Sequence, residues 1–130
     1  MPNATSFTIK DGAAVDTVFS NVQPAGGTLP ALYFARAKGS FPVQQPSIGL
    51  SSAGKQGGVR VVKQTVKTPI LQTDASSGIS KVIDYMFTEV STTMPGTATV
   101  ADRANHRAYV ANSLDVPQIA ESHQDGYAPN

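Results

Sequence analysis

Polar and apolar positions alternate with a period of two along most of the chain before residue 99, and beyond it the period lengthens. The alternation predicts strands over 6–10, 15–22, 31–37, 47–52, 59–68 and 79–92. Pro24, Pro30, Pro42, Pro46, Pro69 and Pro95 fall between these stretches, as expected of a residue that cannot donate to a ladder. Asp11-Gly12 is a hairpin-type turn signal between the first two strands. Segments 52–58 and 72–78 read as loops with glycine available for positive φ. Short connections between successive strands imply an antiparallel meander.

From Thr99 onward the apolar spacing is helical, with Val100, Ala104, Ala108, Ala111 and Leu114 on one stripe. Thr99 is a good N-cap, and Asp102 stands three residues on, as a capping box requires. A second, shorter helix is expected from Asp115, with Pro117 in its first turn, to near His123, with Asp125-Gly126 ending it. The fold class is therefore α+β: an N-terminal hairpin, a meander sheet and two C-terminal helices. One domain over 1–130 is expected, its sheet in 1–95 and its helices in 96–130.

Composition changes this picture in one respect. Only nine residues are aromatic, none is Trp, and there is no Cys. Large buried anchors are scarce and no disulfide can staple the fold, so burial between subunits is the expected source of stability. The alanine stripe supports that reading, because alanine lets a helix lie close on a surface. Tyr109 and Val110 point off the stripe and read either as a second contact face or as apolar residues scattered on the surface, the first reading being preferred. No signal peptide and no membrane span are read, and the sequon at Asn3 is read as a chance match.

The charge is unevenly distributed. The chain's formal charge is +1, yet residues 36–81 carry seven bases against the single acid Asp74, a net +6. Residues 1–35 carry −1 and residues 82–130 carry −4. This partition points to a polyanionic partner for the middle of the chain.

Catalytic chemistry finds no foothold. His106 and His123 lack a carboxylate partner at metal-site spacing. The acids are scattered singly, no serine sits in a nucleophile elbow, and the loop at 52–58 lacks the ending of a phosphate loop. No catalytic residue, metal ligand, cofactor or small-molecule substrate is expected. The basic segment is more informative. Alternation places Lys63, Thr65 and Lys67 on one face of their strand, and Lys81, Ile83, Tyr85, Phe87 and Glu89 on one face of the next. If the strands pair, Lys63, Lys67, Lys81 and Tyr85 share a surface of cations and a ring, the composition of single-stranded RNA recognition. Alternation equally allows Ile83, Tyr85 and Phe87 to face a core with the lysines merely solvated.

The order of elements and several strings resemble the coat proteins of small single-stranded RNA bacteriophages of the levivirus type. The strings are Ser51-Ser52-Ala53 before a basic turn, a valine-rich strand ending in Thr68-Pro69, and the Gly/Ser loop at 72–78. Tyr85-Met86-Phe87-Thr88-Glu89-Val90 follows, then Asp115-Val116-Pro117 between helices and Asp125-Gly126-Tyr127 after them. The likeness covers essentially the whole chain as a pattern. Two departures are the proline-rich stretch 41–46 and Phe87, where the family often has a polar residue.

The resemblance implies an interlocked homodimer with one continuous sheet, each chain's helices crossing onto its partner, and an icosahedral shell built of such dimers. It places Ser51, Ser52, Val61, Lys63, Thr65, Tyr85 and Phe87 on an RNA-facing sheet, beside the Lys67 and Lys81 named from alternation. Ala104, Ala108, Ala111, Leu114 and Tyr109 would then lie at the dimer interface. The loop carrying Asp74, Ser76, Ser77 and Gly78 would meet neighbouring dimers at symmetry axes. The expected setting is a virion, assembled in the cytoplasm of a bacterial host, with genomic RNA inside and repression of translation through an RNA hairpin as a second role. The alternatives are a free RNA-binding regulator without a shell and a β-rich surface or fibre subunit.

Overall fold

The computed structural model describes residues 4–26 and 28–128. The start of the chain, with the sequon's Asn3, and the tail residues 129–130 lie outside the described residues. Six strands follow in chain order: β1 (Phe7–Lys10), β2 (Asp16–Gln23), β3 (Ala31–Phe34), β4 (Ser47–Gly54), β5 (Arg60–Thr73) and β6 (Ser80–Met94). They form one antiparallel sheet in the order β1-β2-β3-β4-β5-β6, so every neighbour in the sheet is a neighbour in sequence. Helices α1 (Val100–Ser113) and α2 (Pro117–Asp125) close the chain.

Local chemistry accounts for the joints. Asp11 turns the first hairpin, its carboxylate accepting from the amides of Ala13 and Val15, both at 3.0 Å. The Lys38 ammonium sits 2.8 Å from the same carboxylate and, with those amides, holds the Asp11 carboxyl below the usual carboxylate range. Thr99 and Asp102 form the expected capping box: the Asp102 amide donates to Thr99 Oγ1 at 3.1 Å and the Thr99 amide to the Asp102 carboxylate at 2.9 Å. Gly126, at φ 78°, ends α2 in the left-handed conformation.

Several boundaries differ from the sequence pattern. The third strand stops at Phe34 rather than Ala37, because Arg36–Lys38 turns as a 3₁₀ helix. A second 3₁₀ turn, Pro42–Gln44, occupies the proline-rich stretch. The second helix starts at Pro117 rather than Asp115 and runs to Asp125. Strand β5 does not end before Pro69 but runs through it to Thr73, with Pro69 opposite Tyr85. The reason is that β4 reaches no further than Lys67 along β5. Beyond that residue β5 has a neighbour on one side only, which a residue without an N–H tolerates.

The buried core is small and lies toward the N-terminus. It consists of Phe19, Ala31, Tyr33, Ala35 and Ile48, with Phe7, Leu50 and Val66 packed against it. Phe7 lies with its ring centroid 5.7 Å from that of Phe19 and 4.9 Å from that of Tyr33. Neither helix contributes a buried residue. The chain exposes 9,818 Å², about half again the ~6,600 Å² expected of a compact monomer of its mass.

Candidate nucleic-acid interface and contact surfaces

Strand register sorts the candidate residues onto two faces. Across β4, β5 and β6, Ser51 stands opposite Lys63, which stands opposite Ser91; the next matching rows are Gly49, Thr65 and Glu89, then Ser47, Lys67 and Phe87. Val61 lies on the same face beside Ala53 and Thr93, and Tyr85 lies there opposite Pro69. The core side chains Tyr33, Ile48 and Val66 are mutually in register on the other face. Tyr85 and Phe87 therefore point away from the core, 42% and 61% exposed. The choice left open by alternation is thus decided: both rings share a solvent-facing surface with Lys63, Thr65 and Lys67.

Two candidates do not join them. Ser52 stands opposite Val62, on the core side. Lys81 stands opposite Gln72, one residue out of step with Lys63 and Lys67. The cause is a bulge: Ile70 pairs with Asp84 but Leu71 with Val82, leaving Ile83 as an extra residue. Below the bulge the parity of β6 is inverted, so uninterrupted alternation misassigns Lys81 and Ile83.

The electrostatics of this face are milder than the segment's charge suggests. Lys63 Nζ lies 3.3 Å from Glu89 Oε1, in a half-exposed ion pair of the kind that contributes little to stability. Lys67 Nζ sits 3.9 Å above the Tyr85 ring centroid, a cation–π contact that fixes both groups without neutralising the charge. Of the other bases, Lys55 lies between β4 and β5, Arg60 has the opposite parity to Lys63, and Lys38 is bound to Asp11. The pairing of Lys63 with Glu89 escaped the sequence reading, although the register needed only the diagonal between two predicted strands.

The loop joining β5 to β6 is a built turn. Asp74 accepts from the Ser76 amide at 2.8 Å, the Ser76 hydroxyl at 2.6 Å and the Ser77 amide at 3.3 Å. These bonds, the Ser76 hydroxyl foremost, hold the Asp74 carboxyl below its ordinary range. Gly78 adopts φ 70°, and Thr73 and Ser80 hydroxyls meet at 2.8 Å to clamp the base.

The helical candidates stand free. Ala104, Ala108 and Ala111 are exposed, Leu114 is 47% exposed and Tyr109 73%. Neither helix packs extensively on the sheet of its own chain. Met86, on the core side of β6, is exposed as well, and β6 is the outermost strand, with no strand paired to its far edge among the described residues.

Comparison with known proteins bears on what these surfaces are. The structure resembles a virus-like particle of bacteriophage NT-214, with a TM-score of 0.84 and 17% identity over 97% of this chain and 98% of that one. A virus-like particle of Beihai levi-like virus 21 matches with a TM-score of 0.79 and 14% identity over 99% of both chains. The protein capsid of bacteriophage GA matches with a TM-score of 0.75 and 16% identity over 96% of both. A search by sequence among curated proteins finds no match. The profile described as levivirus coat protein matches residues 2–125, nearly the whole chain. A six-stranded meander with two closing helices that bury no residue within their own chain, among the described residues, together with that match, makes this chain a member of the levivirus coat protein family, a structural capsid protein rather than an enzyme.

Proposed function

We propose that this protein forms a homodimer, that dimers assemble into an icosahedral shell, and that the shell packages single-stranded RNA against the sheet face bearing Ser51, Val61, Lys63, Thr65, Lys67, Tyr85 and Phe87. The observation that carries the reading is the incomplete burial of the isolated chain: neither helix has a buried residue, Met86 on the core side of β6 is exposed, and β6 ends the sheet. A second copy supplies all three missing contacts at once. Edge pairing of two β6 strands gives a continuous sheet, and each pair of helices then covers the other chain's Val62, Val90 and Met86. The 1–130 chain acts as one coat domain, with Ala104, Ala108, Ala111, Leu114 and Tyr109 at the dimer contact and the Asp74–Gly78 turn between dimers. Assembly occurs in the host cytoplasm and the product is a virion. Repression of translation by hairpin binding follows as a secondary role of the same face.

Expression and sizing test the reading. Purified protein is expected in the void volume, as spherical shells in negative stain, carrying nuclease-resistant RNA that absorbs at 260 nm. A dimer that never assembles at any ionic strength would favour a free RNA-binding regulator, and shells without RNA would remove the nucleic-acid partner. For the face itself, Lys63→Ala with Lys67→Ala is expected to flatten the salt dependence of RNA binding by about 1.4 in log–log slope, for two lost phosphate contacts.

A further inference from the structure

The 3₁₀ turn Pro42–Gln44 adds a wall to the solvent-facing side of the sheet. Two cavities, of about 310 and 220 Å³, lie along it and share Phe34, Pro42 and Gln45. The first extends to Val22 and Arg36, the second to Val43, Ser47, Lys67 and Tyr85. Together they make one groove that runs from Arg36 to the Lys67–Tyr85 pair, beyond the residues assigned above to the RNA-facing sheet.

The wall is held from several sides. The Gln44 side-chain amide donates to the Ser80 carbonyl at 2.8 Å, the Gln45 side-chain amide to the Gly39 carbonyl at 3.0 Å, and the Ala35 amide to the Pro46 carbonyl at 2.9 Å. Gly39 packs so closely that a Cβ there would lie 2.7 Å from the Gln44 carbonyl oxygen. The groove is thus preformed. Its lining contains two bases, two aromatic rings and no acid. Neither Arg36 nor Lys67 has a carboxylate partner among the described residues, whereas Lys38, on the same short turn as Arg36, is bound to Asp11.

We propose that this groove takes an unpaired stretch of single-stranded RNA, with bases lodged against Phe34, Pro42 and Tyr85 and phosphates at Arg36 and Lys67. Charge complementarity selects a polyanion, and the apolar floor selects one whose rings are free to enter. A duplex keeps its bases stacked and satisfies only the cations. The preference is for single strand over duplex with little base specificity, because ring contacts tolerate any base. The inference rests on the RNA-packaging reading and extends its site to Arg36.

Purified full-length protein, titrated with a short oligouridylate and with a blunt RNA duplex, tests it. Arg36→Ala is expected to weaken oligouridylate binding about tenfold, as for the loss of one charged hydrogen-bond donor. Lys55→Ala removes the same charge outside the groove and is expected to leave binding within about twofold. Equal losses in the two variants, or a duplex bound as tightly as the oligouridylate, would overturn the groove. Photocrosslinking of particles grown with 4-thiouridine supplies a readout without substitution. Crosslinks to segment 34–47 are expected, and crosslinks confined to β5 and β6 would overturn the groove alone. Wild-type protein that binds neither RNA would overturn the packaging reading with it.

Discussion

Strands β1 to β4 close a small core around Phe19, Tyr33 and Ile48, whereas β6, α1 and α2 leave every described side chain at least partly open. Among the described residues, none after Gly49 is buried. Both regions draw on the same stock of small and β-branched residues. The difference is that three rings (Phe7, Phe19, Tyr33) meet in the first, while the apolar residues of the second remain partly or wholly exposed. One region is enclosed within the chain, and the other is the part proposed above to make contacts between chains. For such a chain, stability and assembly are two readings of one quantity.

This contrast can be broken region by region. Phe19→Ala empties the centre of the core and is expected to cost about 3–5 kcal/mol, read as a large fall in the thermal midpoint. Ala108→Trp is expected to act differently: it overpacks the proposed contact between chains, at about 1–3 kcal/mol per site. Sizing at several concentrations would then show smaller species with secondary structure retained. Assembly like that of the wild type would refute the placement of the alanine stripe. Thr17 is the flaw in the core, its buried hydroxyl lacking a hydrogen-bond partner among the described residues. Thr17→Val is expected to raise stability by about 1 kcal/mol, the desolvation cost of that group, and a fall in the thermal midpoint would show that the hydroxyl is satisfied.

The smallest effect is at the helix cap. Thr99→Ala is expected to cost about 1 kcal/mol of helix stability, seen by circular dichroism as fraying of α1. Hydrogen bonds from Thr99 hold the Asp102 carboxyl below its usual range. Its contribution is therefore present above the unfolded carboxylate value and lost as the pH falls through the lower folded value. Acid is expected to fray α1 in the wild type, and the Thr99→Ala variant is expected to lose part of that pH dependence.

What could be read from the chain followed the range of the interactions involved. The Thr99–Asp102 cap, the Asp11 turn and the Gly126 stop each depend on a few adjacent residues, and each appears where the pattern predicts it. The sharing of one face by Lys63, Thr65, Lys67, Tyr85 and Phe87 was legible as soon as the strands were paired. Ser52 and Lys81 were misassigned for different reasons. Ser52 has the parity of its partner Val62, which only the β4–β5 register reveals, and Lys81 lies below a bulge that leaves no mark in the alternation. The groove at Arg36 was not legible at all, since it is made by a proline turn folding beside a strand far along the chain.

By itself the sequence determined the meander, the two helices, the absence of covalent staples and the concentration of positive charge between residues 36 and 81. These follow from local propensity, turn chemistry and composition, which need no knowledge of distant neighbours. Only the tertiary structure decided which charges share a face, that Lys63 is paired with Glu89, that Lys67 lies over Tyr85, and that the helices are left uncovered. The physical reason is that side-chain direction in a sheet depends on register, and one extra residue at Ile83 inverts every position beyond it.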